Sequence, residues 1–231
     1  MPSDAGYRGV SDVVYGRNAV LEAARAGRLV RALVAEGVGH DPRLDELARL
    51  VPVERVPPQR LEELARGRRF LTLRELLAPG PTLLVALDSI LDPQNLGAIL
   101  RSAEAAGSDG VILPERRSAP LSPAAVKASS GASELLRLCR VPGLPSAISE
   151  VKRAGLWCCA LDNDGELLPW EFDLAQPLCL VVGSEGQGVG RLVKERCDAS
   201  LRLPMRGTVE SLNASAAAAA LLYEVVRQRT S

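Results

Sequence analysis

Three short segments carry the side chains best suited to chemistry, each where an apolar run gives way to a helical pattern. In residues 88–107, DSILDPQNLGAILRSAEAAG, Asp92 and Pro93 break a strand, Asn95 is placed to cap the following helix, and Gly97 stands one turn before Arg101 on the same face. Such a glycine clears space beside the guanidinium. Residues 178–190, LCLVVGSEGQGVG, run from an apolar strand into Gly183, Gly186, Gly188 and Gly190, with Ser184 and Glu185 between the first two. Glycines there let the backbone turn sharply and offer its amides to a ligand. Their spacing departs from the dinucleotide fingerprint, and no Lys-Ser or Lys-Thr pair completes a P-loop. Glu185 repels phosphate and suits a cationic or hydroxyl-bearing ligand. In residues 201–229 a strand ends at Pro204, a loop carries Met205, Arg206 and Gly207, and Ser211, Leu212 and Asn213 open the last helix, which Ser211 or Asn213 can cap. Taken singly, each segment reads as structural as readily as functional: a cap, a tight turn, a core methionine, a solvated arginine. Together they gain weight, because all three are strand-to-helix junctions of one expected sheet, where a shared site forms.

The remaining composition narrows that chemistry. His40 is the only histidine and lies in a loop between Gly39 and Asp41, far along the chain from the three segments. This argues against a histidine base, a Ser-His-Asp triad and a His-rich zinc site. No metal is called for, and the work falls to Arg, Asn, Ser, Glu and backbone groups. The five cysteines, Cys139, Cys158, Cys159, Cys179 and Cys197, are odd in number and lack C-x-x-C spacing, which reads as reduced thiols. No apolar run approaches the roughly 18 residues that cross a bilayer, and the opening MPSDAGYRGV lacks a signal-peptide pattern, so a cytoplasmic protein without membrane contact is expected. Formal charge is zero, +2 over residues 1–80 and −2 over 81–231, so charge alone does not argue for nucleic acid. Local basic clusters stand at Arg66, Arg68 and Arg69, and at Arg116 and Arg117.

The elements that must position the three segments follow from hydrophobic periodicity. Residues 14–69 alternate helical stretches (NAVLEAARAG, PRLDELARL, PQRLEELARG) with strands (LVRALVAEG, VPVERV), which makes residues 1–69 a small α/β unit. A Pro-Gly-Pro breaker at 79–81 closes a partly helical linker, residues 70–82. From residue 83 onward the apolar runs LLVALD, GVILP, LLRLCRV, LWCCALD, LCLVVG and ASLRLP alternate with helical patterns. Continuous apolar runs mark strands buried on both faces, so residues 83–231 are expected to form an α/β domain, a mainly parallel sheet of about six strands with helices on both faces. Ligands gather at the strand carboxyl ends of such sheets. The segment SAAAAA at 215–220 allows close approach of another backbone, within the domain or from another subunit.

At this point the residues match a known family. Asn95–Arg101 (N-L-G-A-I-L-R), Val181–Gly188 (V-V-G-S-E-G-Q-G) and Leu203–Ser215 (L-P-M-R-G-T-V-E-S-L-N-A-S) resemble, in order and spacing, the three motifs of the SpoU (TrmH-like) branch of the SPOUT methyltransferases. The small unit, opening VVYGRNAVLEA, resembles the L30e-like RNA-binding domain of the bacterial 23S rRNA guanosine 2′-O-methyltransferases. The resemblance implies transfer of a methyl group from S-adenosylmethionine to a ribose 2′-hydroxyl of RNA, with a 23S rRNA guanosine as the favoured target. Methylation of tRNA ribose is the alternative, and a non-catalytic RNA-binding protein on the same fold a third reading. It also implies a homodimer whose sites are completed across the interface, and a C-terminal trefoil knot, an exception to the rule against knotted chains. By resemblance, Gly183, Leu203, Met205 and Leu212 hold the cofactor through backbone groups and apolar packing, and Asn95, Arg101, Glu185, Ser211 and Asn213 serve RNA binding and catalysis. One departure stands out: the chain passes directly from Gly67 to Arg68 where the family has a further strand, which implies a shortened N-terminal domain.

Methyl transfer from a sulfonium needs an oxygen in line with the S–CH₃ bond and a route for the ribose proton, with no metal. Arg101 is the expected centre of that step, either sharing the proton or stabilising the developing alkoxide while charged; a guanidinium pKa above about 12 makes the first demanding. With 3% aromatic residues, stacking is not expected to supply most of the RNA affinity, and Arg66, Arg68, Arg69, Arg116 and Arg117 are the candidates for phosphate contacts.

Overall fold

The computed structural model describes residues 16–57 and 70–230, and the chain divides into two compact units, Met1–Arg69 and Phe70–Ser231. In the first, α1 (Arg17–Arg25), β1 (Ala32–Ala35), α2 (Pro42–Leu50) and β2 (Val53–Val56) follow in order, with β1 and β2 parallel and Ala32 opposite Val53. Leu21, Ala24, Ala32, Leu47 and Val51 form its core. Asp41 caps α2, accepting the Arg43 N–H at 3.0 Å, and its carboxylate also binds the guanidinium groups of Arg43 and Arg17, at 2.9 and 3.0 Å. His40 is exposed here, 3.6 Å from Asp45. The helix expected at 58–67, the Gly67–Arg68 junction and the cluster Arg66, Arg68 and Arg69 lie outside the described residues.

The second unit begins earlier than the sequence pattern placed it. Residues 70–82, expected as a linker, are packed into it: Thr72 caps α3 (Leu73–Leu77) through a capping box with Glu75, Leu71 bridges to Cys139, and Leu73 and Leu76 are buried. Six strands follow: β3 (Leu83–Leu87), β4 (Gly110–Pro114), β5 (Leu138–Val141), β6 (Trp157–Leu161), β7 (Leu178–Val182) and β8 (Ala199–Leu201). All their pairings are parallel, in the order β5-β4-β3-β7-β6-β8. Side chains alternate by twos between two cores. Leu83, Val85, Leu87, Leu178, Leu180 and Val182 face α4 (Pro93–Ala105), α5 (Pro123–Ala128) and the last helix. Leu84, Ala86, Cys179 and Val181 face α3 and α7 (Leu144–Arg153), α6 being the short helix Ala132–Leu135. Burial on both faces is why these strands read as unbroken apolar runs. The chain ends with α8 (Arg191–Lys194) and α9 (Ala214–Thr230), whose Ala214, Ala218, Leu221, Leu222 and Val225 are buried. No helix among the described residues is long and apolar enough to cross a membrane.

Candidate active site

The three marked segments meet at the carboxyl ends of β3, β7 and β8. Asp92, rather than Asn95, caps α4: its carboxylate accepts the N–H of Gln94 at 3.1 Å and of Asn95 at 3.2 Å, with Pro93 in the first turn. The helix therefore starts two residues before the expected cap, which releases the Asn95 amide. Its Nδ2 donates to Glu185 Oε1 at 3.1 Å, and its Oδ1 accepts from Asn213 Nδ2 at 2.9 Å. Asn213 Nδ2 donates to the same Glu185 oxygen, which also accepts the Ala214 N–H at 3.3 Å. The other end of the Asn213 amide caps α9, Oδ1 accepting from Ser215 N at 2.9 Å, Ser215 Oγ at 2.6 Å and Ala216 N at 3.3 Å. One asparagine thus starts the last helix and ties it to a loop and a second helix. A carboxylate held beside the first amide of α9 also opposes the positive end of that helix.

Glu185 stands in a tight turn, where the Gly188 N–H returns to Ser184 O at 3.0 Å and Gly186 and Gly188 have φ of 79° and 62°. Gly183 is glycine for a different reason than ligand approach alone: a Cβ there would run into the backbone of Gly188 and Val189, which crosses directly over it. Beside this turn lies a narrow cleft. Leu161, Val182, Leu203, Met205, Leu212 and Ala217 form apolar walls, and Asp162, Asn163, Gly183, Glu185 and Ser211 add polar groups, with no Lys or Arg in the lining.

All four residues expected to hold a cofactor, Gly183, Leu203, Met205 and Leu212, line this one cleft, as do Glu185 and Ser211, while Asn95 and Asn213 join it through Glu185. Arg101 does not. It is exposed on α4 and forms no hydrogen bond or ion pair among the described residues. It stands six positions after Asn95, about 9 Å along the helix and some 240° around it. Nor does Gly97 clear room for that guanidinium: a Cβ there would strike the Ala125 carbonyl and Ala128 and lie 2.9 Å from Ser129 N, so the glycine serves the contact between α4 and α5. The sequence reading missed Asp162 and Asn163, which follow β6 in a run, LDNDG, that looks like an ordinary turn. The cysteines offer no nucleophile. Cys139, Cys158, Cys159 and Cys179 are buried, and burial pushes the Cys139 and Cys197 thiols up to about 12.

A parallel sheet with an apolar cleft and a carboxylate–amide cluster at its strand ends defines an open α/β protein that binds its ligand at those ends. The chain belongs to the SpoU rRNA methylase family of methyltransferases, whose family model matches residues 82–223. The model for the substrate-binding domain of RNA 2′-O ribose methyltransferases matches residues 13–69. An uncharacterized tRNA/rRNA methyltransferase of Mycolicibacterium vanbaalenii is 41% identical, over 96% of this chain and 78% of its own. A protein of Bacillus subtilis assigned to the TrmH family of tRNA/rRNA methyltransferases is 37% identical, over 94% and 96%. Among solved structures, the SpoU methyltransferase AviRb from Streptomyces viridochromogenes in complex with AdoMet superposes with a TM-score of 0.76 at 30% identity, covering 94% of this chain and 90% of that one.

Proposed function

We propose that the chain transfers the methyl group of S-adenosylmethionine to the 2′-hydroxyl of a guanosine ribose in 23S rRNA. Family membership gives the coarser activity, S-adenosylmethionine-dependent methylation of RNA. The observation that carries the ribose hydroxyl as acceptor is the cluster of Asn95, Glu185 and Asn213 at the edge of the cleft: neutral donors and a carboxylate acceptor, the groups a ribose hydroxyl needs, without a histidine or thiolate. The match of residues 13–69 to a 2′-O ribose methyltransferase substrate-binding model supports the oxygen as acceptor and the small unit as an RNA-binding domain.

The cleft suits the cofactor. Leu161, Val182, Leu203, Met205 and Leu212 offer walls for an adenine ring, and the Glu185 carboxylate in the lining is favourable to a sulfonium. When bound, that group supplies an electrophilic methyl. Asn95 and Asn213 orient the ribose hydroxyl, and Glu185 fixes both amides. Arg101 takes the proton or stabilises the alkoxide, and because it stands apart from the cleft of its own chain we assign it to the cleft of a second copy. The exposed stripe Ala216, Ala220 and Tyr223 on α9 supports such a homodimer. The knotted threading of the C-terminal segment belongs to the same reading, supported by β7 lying between β3 and β6 and by the chain crossing at Gly183.

The test is incubation with labelled S-adenosylmethionine and, separately, rRNA and tRNA that lack their own methylations, followed by mapping of the labelled nucleotide. Label on a ribose of 23S rRNA is the expected result. Label on tRNA alone would replace the target, and label on a base would replace the chemistry.

A further inference from the structure

The glycine turn is gripped from both sides by carboxylates that the reaction scheme leaves without a task. Leu87 pairs with Val182 and Val182 with Leu161 across β3, β7 and β6, so the next residue of each strand forms one row: Asp88, Gly183, Asp162. Leu87, Val182 and Leu161 all face one core. By alternation, the two carboxylates project to the opposite side, where Val189 and Val193 of the returning chain are buried. Asp88 Oδ2 accepts the Gly190 N–H at 2.8 Å. Asp162 Oδ2 pairs with Lys194 Nζ on α8 at 3.1 Å and lies 3.4 Å from where a Gly188 Cβ would stand, while Oδ1 accepts the Asp164 N–H at 3.0 Å. The Asp162 side chain is only 13% exposed. Each strand flanking β7 thus sends one carboxylate to the chain that leaves the turn.

We infer that Asp88 and Asp162 are positioning residues: a two-armed clamp on the turn, whose Asp162–Lys194 arm sets the affinity for S-adenosylmethionine. The inference rests on reading the cleft as the cofactor site. A turn with glycines at 183, 186, 188 and 190 has many conformations open to it when unheld. If releasing one arm leaves about a tenth of the molecules with the cleft formed, the apparent Kd rises about tenfold.

Lys194 distinguishes the clamp from the simpler idea that Asp162 meets the cofactor's positive charge directly. Removing the lysine would free the carboxylate and tighten binding under that idea; under the clamp it weakens binding. The experiment is calorimetric titration of the full chain with S-adenosylmethionine, using Asp162→Asn, Lys194→Met, the double variant and Lys194→Arg. Asp162→Asn keeps an acceptor for the Asp164 N–H, and Lys194 lies partly exposed on a short helix, so both chains should fold. Expected are Kd increases of about tenfold for each single variant, no further loss in the double, recovery to within about twofold in Lys194→Arg, and a salt-weakened Kd only where the pair is intact. Unchanged or tighter binding by Lys194→Met, or single losses that multiply in the double variant, would overturn the clamp. Absence of binding by the unmodified chain would instead overturn the cofactor reading beneath it.

Discussion

Asn95 Nδ2 donates to Glu185 Oε1 at 3.1 Å although 90 positions separate the two residues. The same oxygen accepts from Asn213 and Ala214, so Glu185 holds a motif from each of the other two segments in place. Glu185→Ala should lower the single-turnover rate of methyl transfer on the order of 10²-fold, as loss of a preorganised polar group commonly does. Glu185→Gln, which keeps one acceptor but loses the charge, should lose about tenfold. A Glu185→Ala rate within a factor of about two of the unmodified chain would leave the cluster a purely structural tie.

Arg101 gives a test of assembly as well as chemistry. Arg101→Lys should fail as badly as Arg101→Ala, because the planar fork is lost in both. If the guanidinium serves the other copy's cleft, an inactive Arg101→Ala chain mixed and re-equilibrated with an inactive Glu185→Ala chain should regain activity, since half the dimers then carry one intact site. Recovery of roughly a quarter of the unmodified rate is expected in equimolar mixtures. No recovery, with exchange of chains verified by mass, would put Arg101 in its own chain's site.

Much of this is legible in the sequence. The six strands announced themselves because burial on both faces leaves unbroken apolar runs such as LLVAL and LCLVV. Glycine positions were visible but their reasons were not: Gly97 and Gly183 are fixed by backbones from elsewhere in the fold, which sequence spacing does not report. The capping of α4 was misread because Asp92 and Asn95 are both good caps, and only the choice of Asp92 frees Asn95 for Glu185. Asp88 and Asp162 carried no signal, since an aspartate after a strand is a common turn residue; their meaning comes from the register that aligns them with Gly183.

Two glycines of one turn should respond differently to alanine. At Gly183 a Cβ meets the crossing backbone of Gly188 and Val189, so the main chain itself must shift and Gly183→Ala should cost about 3 kcal/mol or more in urea denaturation. Gly186, with φ of 79° and nothing within 4 Å of a Cβ, carries only the conformational penalty, about 1 to 2 kcal/mol. Equal losses at the two positions would mean that the crossing relaxes.

The small unit should lose stability in acid. Hydrogen bonds from the Arg43 side chain and backbone hold the Asp41 carboxyl at about 2, below its ordinary 3.8, and Arg25 lowers Glu46 in the same way. A depressed carboxyl stabilises the fold fully above its unfolded value and loses that contribution as pH falls through the folded one. Stability of this unit should therefore decline from about pH 4 towards pH 2, read by amide signals of α2. Asp41→Asn should flatten much of that decline, leaving the share due to Glu46. An unchanged acid profile in the variant would remove Asp41 as its source.

Asn213 has two roles that one substitution pair can separate. Its Oδ1 caps α9 through Ser215 and Ala216, and its Nδ2 ties Asn95 to Glu185. Asp is as good a cap as Asn but has no amide hydrogens, and it would place a second carboxylate against Glu185. Asn213→Asp should therefore keep the cap of α9 while methyl transfer falls at least tenfold, the charge repulsion adding to the lost donors. Asn213→Ala should lose activity and, in addition, about 1 kcal/mol of stability from the missing cap. Because both variants lose the donors and only one loses the cap, the comparison isolates what the amide does for the reaction from what it does for the helix; full activity in Asn213→Asp would assign the residue to the helix alone.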